Sequence, residues 1–269
     1  MKTWNLRHYA AFLLDVDGVL VHDSRPIQGA ADAVRLLQQL GQVLVVTNNS
    51  TRSRQQHASR LSTAGFDIHP DDIISSAYAA AKHLQLHHGG VCVWPIGEQG
   101  LADELLARGH TIATKPYQAQ WVVAGMDRFI TYQKLTDGLH ALNAGARLIA
   151  TNQDSTYPTP EGLVPGAGAI IGALRGMGFE PELTIGKPEP FTYDVALGLI
   201  KCKPDQVLMI GDRLETDILG GNRRGIATLL VQTGVSQRSD VERQGIFPTW
   251  IAESIASVHT EAVLPVSGH

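Results

Sequence analysis

The sequence predicts an α/β protein: a doubly wound parallel-sheet core with a second α/β unit inserted into it. Three observations carry this. Short continuous apolar runs alternate with helical patterns, as they do when parallel strands are covered on both faces. Polar clusters stand at the carboxyl ends of three of those runs, where open α/β sheets place their ligands. Between them about 100 residues carry a strand–helix cycle of their own, too long for a loop.

The elements follow in order. "AFLL" (11–14) is the first strand, and "AADAVRLLQQLG" the first helix, with Ala33, Leu36, Leu37 and Leu40 at helical spacing and Gly41 as a stop. "VLVVTNNS" is a buried strand ending in polar residues, and "SRQQHASRLSTAG" a helix closed by Gly65. The inserted unit reads as strands in "VCVW", "QWVVAG" and "RLIATN", alternating with helices in "EQGLADELLARG", "TYQKLTDGLHALNAG" and "GAIIGALRGMG". The core then resumes with "DQVLMIGD" as a strand, "ETDILGGNRRG" as a helix, "IATLLVQTG" as a strand and "PTWIAESIASV" as a helix. Residues 1–76 and 181–269 are therefore assigned to the core and 77–180 to the insertion.

Composition narrows the function classes. The 269 residues are 43% hydrophobic and 18% charged, with a formal net charge of -4. No Lys/Arg-rich block is present, so no nucleic-acid partner is expected. No apolar run approaches the roughly 18 residues needed to cross a bilayer, and no membrane partner is expected. The N-terminus lacks a secretory pattern, and the two cysteines, Cys92 and Cys202, lie far apart. A cytoplasmic protein is the expectation.

The chemistry concentrates in the polar clusters. Residues two apart on a strand point to one side, so Asp15 and Asp17 in "DVDG" can approach a common point. Their repulsion raises one pKa unless a cation intervenes, and an all-oxygen site suggests Mg2+. "GDRLETD" adds Asp212, Glu215 and Asp217 at a later strand end. A calcium loop is disfavoured, because the glycine and distal glutamate fall at the wrong offsets. A lone Asp-x-Asp most often caps a loop. Here it is followed in order by a hydroxyl and amides in "TNNS", a lysine in "GKPEP" and the acidic cluster. Those are the parts for phosphoryl transfer.

"DVDGVL", "TNNS", "GKPEP" and "GDRLETDILGG", in that order, resemble the four motifs of haloacid dehalogenase-type phosphatases. More narrowly they resemble the NagD/4-nitrophenylphosphatase branch, and "IATNQD…PGAGAIIGAL" is similar to that branch's C2-type cap. The resemblance implies Mg-dependent hydrolysis of small phosphomonoesters through an aspartyl-phosphate. Asp15 would be the nucleophile and a metal ligand. Asp17 would be the proton carrier, holding the metal through its backbone carbonyl. Thr47, Asn48, Asn49 and Lys187 would bind the phosphoryl group, Asp212 would ligate the metal, and Asp217 would orient Lys187 or a metal-bound water. Glu215 reads equally as a first-turn acid favoured by the helix dipole. In the loop "ATNQDSTYPTPEG", with Asn152 and Asp154, Tyr157 stands where the pyridoxal-phosphate members carry histidine, and it is the candidate selectivity residue. Phosphoglycolate, nucleoside monophosphates, sugar phosphates and pyridoxal phosphate all remain open as substrates. A homodimer through the cap is the partner that the branch implies.

Two other readings remain open on the residues alone. A phospho-receiver also uses Asp, Thr and Lys around Mg2+, and a ligand-sensing protein could use the same scaffold without turnover. Two weaker signals are set aside. "GAGAIIG" lacks a preceding apolar strand, and His83 with His87 lacks a third ligand at metal-site spacing.

Overall fold

A computed structural model of the chain describes residues 4–22, 25–159, 161–259 and 263–266. The chain divides into two compact units. One comprises Met1–Thr47, Ala58–Ile73 and Lys187–His269; the other comprises Asn48–His57 and Ile74–Gly186.

The first unit opens with β1 (Ala11–Leu14), a short hairpin of β2 (Val21–His22) and β3 (Arg25–Pro26), α1 (Ala30–Leu40) and β4 (Gln42–Thr47). Helix α2 (Arg54–Thr63) and β5 (Ile73–Ser75) follow. The second unit then runs through α3 (Ser76–His88), β6 (Cys92–Ile96), α4 (Gln99–Ala107), β7 (Thr111–Ile112), β8 (Trp121–Ala124), α5 (Tyr132–Asn143) and β9 (Arg147–Ala150). It closes with the hairpin β10 (Thr156–Thr159) and β11 (Gly162–Pro165), α6 (Ala167–Gly176) and β12 (Leu183–Thr184). The chain returns to the first unit with α7 (Pro190–Ile200), β13 (Val207–Gly211), α8 (Leu219–Arg223), β14 (Ala227–Val231), α9 (Arg238–Gln244), β15 (Trp250–Ala252) and β16 (Leu264–Pro265).

The sheet order is β16-β15-β14-β13-β1-β4-β5. β1 pairs in parallel with β13 and with β4, so Leu13 stands opposite both Met209 and Leu44. From β1 the chain proceeds outward through β4, and from β13 it proceeds the other way through β14 and β15. The order therefore reverses between β1 and β13, which makes their carboxyl ends the switch point where such sheets bind ligands. Phe12, Leu14, Val45, Leu208 and Ile210 cover one face of the sheet together with Val34 and Leu37 of α1, all buried. Truncating Phe12 to alanine there would cost about 3–5 kcal/mol. Leu36 and Leu40 of α1 are partly buried and pack on the same cluster.

The second unit has its own parallel sheet, ordered β12-β9-β8-β6-β7. Its core joins Val122, Ala124, Leu148 and Ala150 of the central strands to Ala141, Leu142, Ile170, Ile171 and Leu174 of α5 and α6. Gly138 of α5 packs where a Cβ would meet Ile96 Cδ1 at 2.5 Å, so the helix lies close on the sheet. Among the described residues no helix is long and apolar enough to cross a membrane.

One expectation is corrected. Residues 248–258 were expected to form a helix, but they form β15 followed by a 3-10 turn, Ile255–His259. Trp250, Ile251 and Ala252 are all buried and pair with β14, and the Trp250 indole donates to Tyr9 Oη at 2.9 Å. A continuous apolar triplet fits a strand covered on both faces, and only Ile255 and Val258 retain helical spacing. The hairpin β10–β11 and helices α7 and α9 had no counterpart in the sequence reading. Pro158 and Pro165 in the hairpin break the strand pattern, as they do on sheet edges.

Candidate active site

Asp15 leaves the end of β1 while its backbone N–H still donates to Ile210 O at 3.0 Å, so β13 sets its position. Asp212 leaves the end of β13. Its Oδ2 accepts from Val235 N at 2.8 Å, and its backbone carbonyl accepts from Ser236 N at 2.9 Å. The turn after β14 therefore clamps Asp212 from the other side. Gly18 lies in the left-handed region at φ 90°, and a Cβ there would stand 2.5 Å from Asp212 Oδ2. The glycine after the second aspartate is needed for both its backbone angle and the approach of Asp212.

Lys187 is almost wholly buried. Its Nζ donates to Asp15 Oδ1 at 2.8 Å, Asp217 Oδ1 at 2.7 Å and Val46 O at 2.8 Å. The last contact places it beside Thr47, itself buried at the end of β4. Burial works against the ammonium, but the charges of Asp15 and Asp217 outweigh it and raise the Lys187 pKa. The amine stays protonated. Asp217 lies in a π-helical turn, Leu214–Ile218, a geometry often found at functional sites. Arg213 N donates to its Oδ2 at 3.1 Å, and the buried Tyr193 hydroxyl donates to the carbonyl of Asp217 at 3.1 Å. Glu215, in the same turn, is exposed.

Asp15, Asp212 and Asp217 each offer an oxygen within 4.8 Å of the others. Burial, and then the neighbouring carboxylates, push the Asp212 pKa well up and raise that of Asp217. Three buried carboxylates with one lysine lack positive charge. Asp212 Oδ1 is buried and accepts no hydrogen bond among the described residues. Both oxygens of Asp217 are engaged, by Lys187 and by Arg213 N. A divalent cation ligated by oxygens fits this donor set, and it would meet the charge deficit and the unmatched oxygen together. The Asp17 side chain is not part of the trio. Its Oδ1 accepts from Arg60 Nη2 at 3.0 Å.

The other predicted residues meet in the second unit. Asn48 Nδ2 donates to both oxygens of Asp154, at 3.0 and 3.2 Å. Asn49 Nδ2 donates to Tyr157 Oη at 3.3 Å, and Asn49 Oδ1 accepts from the backbone and hydroxyl of Thr51. Asn152 Nδ2 and Ser76 Oγ both donate to the Asn48 carbonyl, at 2.8 and 2.6 Å. The side-chain amides of Asn48 and Asn49 thus fix the segment after Thr47 to the loop and hairpin that carry Asp154 and Tyr157. His83 and His87 stack at 4.2 Å, and burial followed by the two neighbouring histidines lowers the His83 pKa to about 4. Arg60, Tyr193, Val235 and Ser236 were not anticipated. No motif marks them, because each acts through contacts far apart in sequence.

Comparison with known proteins identifies the family. A model described as haloacid dehalogenase-like hydrolase matches residues 12–111, and one described as HAD-hydrolase-like matches residues 184–258. An acid sugar phosphatase of Staphylococcus saprophyticus is 34% identical over 258 residues, spanning 95% of this chain and 99% of the relative. The chain belongs to the haloacid dehalogenase superfamily. Within that superfamily it is a phosphatase of the NagD/4-nitrophenylphosphatase-like branch. A p-nitrophenyl phosphatase from Archaeoglobus fulgidus superposes with a TM-score of 0.88 at 34% identity, covering 93% of this chain and 98% of that one. A glycerol phosphate phosphatase from Mycobacterium tuberculosis, in complex with magnesium, superposes with a TM-score of 0.88 at 32% identity, covering 97% of this chain and 80% of that one.

Proposed function

We propose that this haloacid dehalogenase-type phosphatase hydrolyses small phosphomonoesters with Mg2+ through a covalent phosphate on Asp15. The observation that carries this reading is the buried group of Lys187, Asp15, Asp212 and Asp217, whose negative charge exceeds its positive charge. Mg2+ would be held by Asp15, Asp212 and the backbone carbonyl of Asp17, and it would neutralise charge on the phosphoryl oxygens. Asp217 is left to hold Lys187.

In the first step the Asp15 carboxylate forms a bond to phosphorus and the bond to the ester oxygen breaks. Asp17 gives its proton to the departing oxygen, so an alcohol leaves. In the second step Asp17, now a carboxylate, takes a proton from water as that water attacks phosphorus. The bond to Asp15 breaks, inorganic phosphate leaves, and both aspartates return to their starting states. Lys187 holds Asp15 and meets charge on the transferring group, with the Thr47 hydroxyl beside it.

We assign the second unit as the cap domain, with Tyr157 and the Asn48–Asn49 segment as its contribution to selectivity. Support comes from the bond between Asn49 and Tyr157, which links a motif residue to the hairpin. The named activities of relatives, on sugar, glycerol and nitrophenyl phosphates, favour a small ester with a polar leaving group. The test is release of phosphate from 4-nitrophenyl phosphate and a panel of sugar and polyol phosphates, with and without Mg2+. Sustained Mg2+-dependent release is expected. A single stoichiometric release of 4-nitrophenol, with the phosphate retained on the chain, would mark a phospho-receiver instead, and no release of either product would mark a non-catalytic protein.

A further inference from the structure

We propose that Arg60 is a positioning residue that holds the Asp17 carboxyl in line with the leaving oxygen; this rests on the reading of Asp17 as proton carrier. Two cations divide the two aspartates of the first motif between them. Lys187 reaches Asp15, and Arg60 reaches Asp17 at 3.0 Å from a helix 43 residues further along the chain. Arg60 and Asp17 expose only 12% and 13% of their side chains. Among the described residues the Nε and Nη1 of Arg60 are buried without hydrogen-bond partners. An arginine on a surface helix ordinarily extends its head into water. This one is drawn inward and leaves donors unmatched, an arrangement that stability alone disfavours.

The contact suits the chemistry. A guanidinium donates to a carboxylate and, more weakly, to the carbonyl oxygen of a carboxylic acid, so Arg60 can hold Oδ1 in both halves of the cycle. The proton then travels on Oδ2. Misplacing such a group by about 1 Å costs on the order of 100-fold even when the rest of the site is intact.

The reaction offers a readout that a merely structural role would not move. An alkoxide needs a proton as it leaves, whereas 4-nitrophenolate is stable without one. Leaving-group release in a single turnover should be measured with Mg2+ for glycerol phosphate and 4-nitrophenyl phosphate, in wild type, Arg60→Met, Arg60→Lys and Asp17→Asn. Arg60→Met should slow release of the alcohol about 10–100-fold, up to the lower end of the roughly 10²–10⁴-fold contribution of general acid catalysis, and release of nitrophenolate less than about threefold. Arg60→Lys should recover part of the difference, and it carries the test if the methionine variant does not fold. Equal slowing of both substrates in the Arg60 variants, with Asp17→Asn still separating them, would overturn the role of Arg60 alone. If Asp17→Asn also fails to separate the two esters, the reading of Asp17 as proton carrier falls with it.

Discussion

The ends of β1 and β13 and the residues Asn48, Asn49 and Thr51 carry polar groups of different kinds. At the strand ends, three carboxylates and a lysine are buried together, and burial, joined by the charges of neighbouring carboxylates, pushes the pKa values of Asp212 and Asp217 upward. In segment 48–57 the contacts of Asn48, Asn49 and Thr51 run through neutral donors, to Asp154, to Tyr157 and to one another. Clustered charge is costly to bury and is kept where something must be bound or reacted. A network built on uncharged donors is cheaper and specifies shape. The first region is therefore the expected seat of bond-making and the second that of recognition.

Mutation should separate the two. Asp15→Asn should lower turnover of every substrate by about 10⁴-fold or more, as loss of a nucleophile does, with the thermal midpoint measured alongside. Removing divalent metal with a chelator should abolish steady-state release, and added Mg2+ should restore it. Lys187→Met should reduce kcat by about 10²–10³-fold and also destabilise the fold by about 3–5 kcal/mol, because it leaves Asp15 and Asp217 buried without their cation. Thermal unfolding of the variant checks the second part.

The carboxylates also set a pH dependence. Asp212 and Asp217 titrate higher in the folded chain than in the unfolded one, Asp217 at about 6, through burial and then their neighbours' charges. The folded state then holds more protons than the unfolded state above about pH 4, so metal-free stability falls as pH rises from there, the Asp217 share being lost by about pH 6. A cation competes with those protons. Stabilisation by Mg2+ should therefore grow over that window, reaching about 3 kcal/mol at a hundredfold excess over Kd. Calorimetry at several pH values with and without Mg2+ checks it; a metal effect that shrinks with pH would break the contrast. The smallest effect belongs to the neutral region. Tyr157→Phe removes the acceptor of the Asn49 hydrogen bond and should cost about 1 kcal/mol of stability, while shifting relative kcat/KM across a phosphate-ester panel without lowering kcat on all of them. Uniform loss of kcat would assign Tyr157 to chemistry instead.

Much of the first region was legible in the sequence. Asp15, Lys187 and Asp212 sit in short motifs at strand ends, and buried parallel strands announce themselves as apolar runs. Arg60 was not legible, since it is one arginine on a helix and its contact is set by packing. Tyr193 and the Val235–Ser236 turn were hidden for the same reason: their partners, the backbone of Asp217 and the carboxylate and carbonyl of Asp212, lie far away in sequence. β15 was misread because three apolar residues beside two at helical spacing satisfy either pattern, and only pairing with β14 decides between them. The hairpin that carries Tyr157 escaped because its prolines suppress the strand signal.

The central claim is that phosphate passes through Asp15. The direct measurement is acid quenching of the enzyme during turnover of 4-nitrophenyl phosphate with Mg2+, followed by peptide mass spectrometry. The expected result is a phosphorylated peptide containing Asp15, formed within one turnover and absent from Asp15→Asn. Full turnover with no phosphate on any peptide that spans Asp15, at quench times short enough to capture the first turnover, would contradict it.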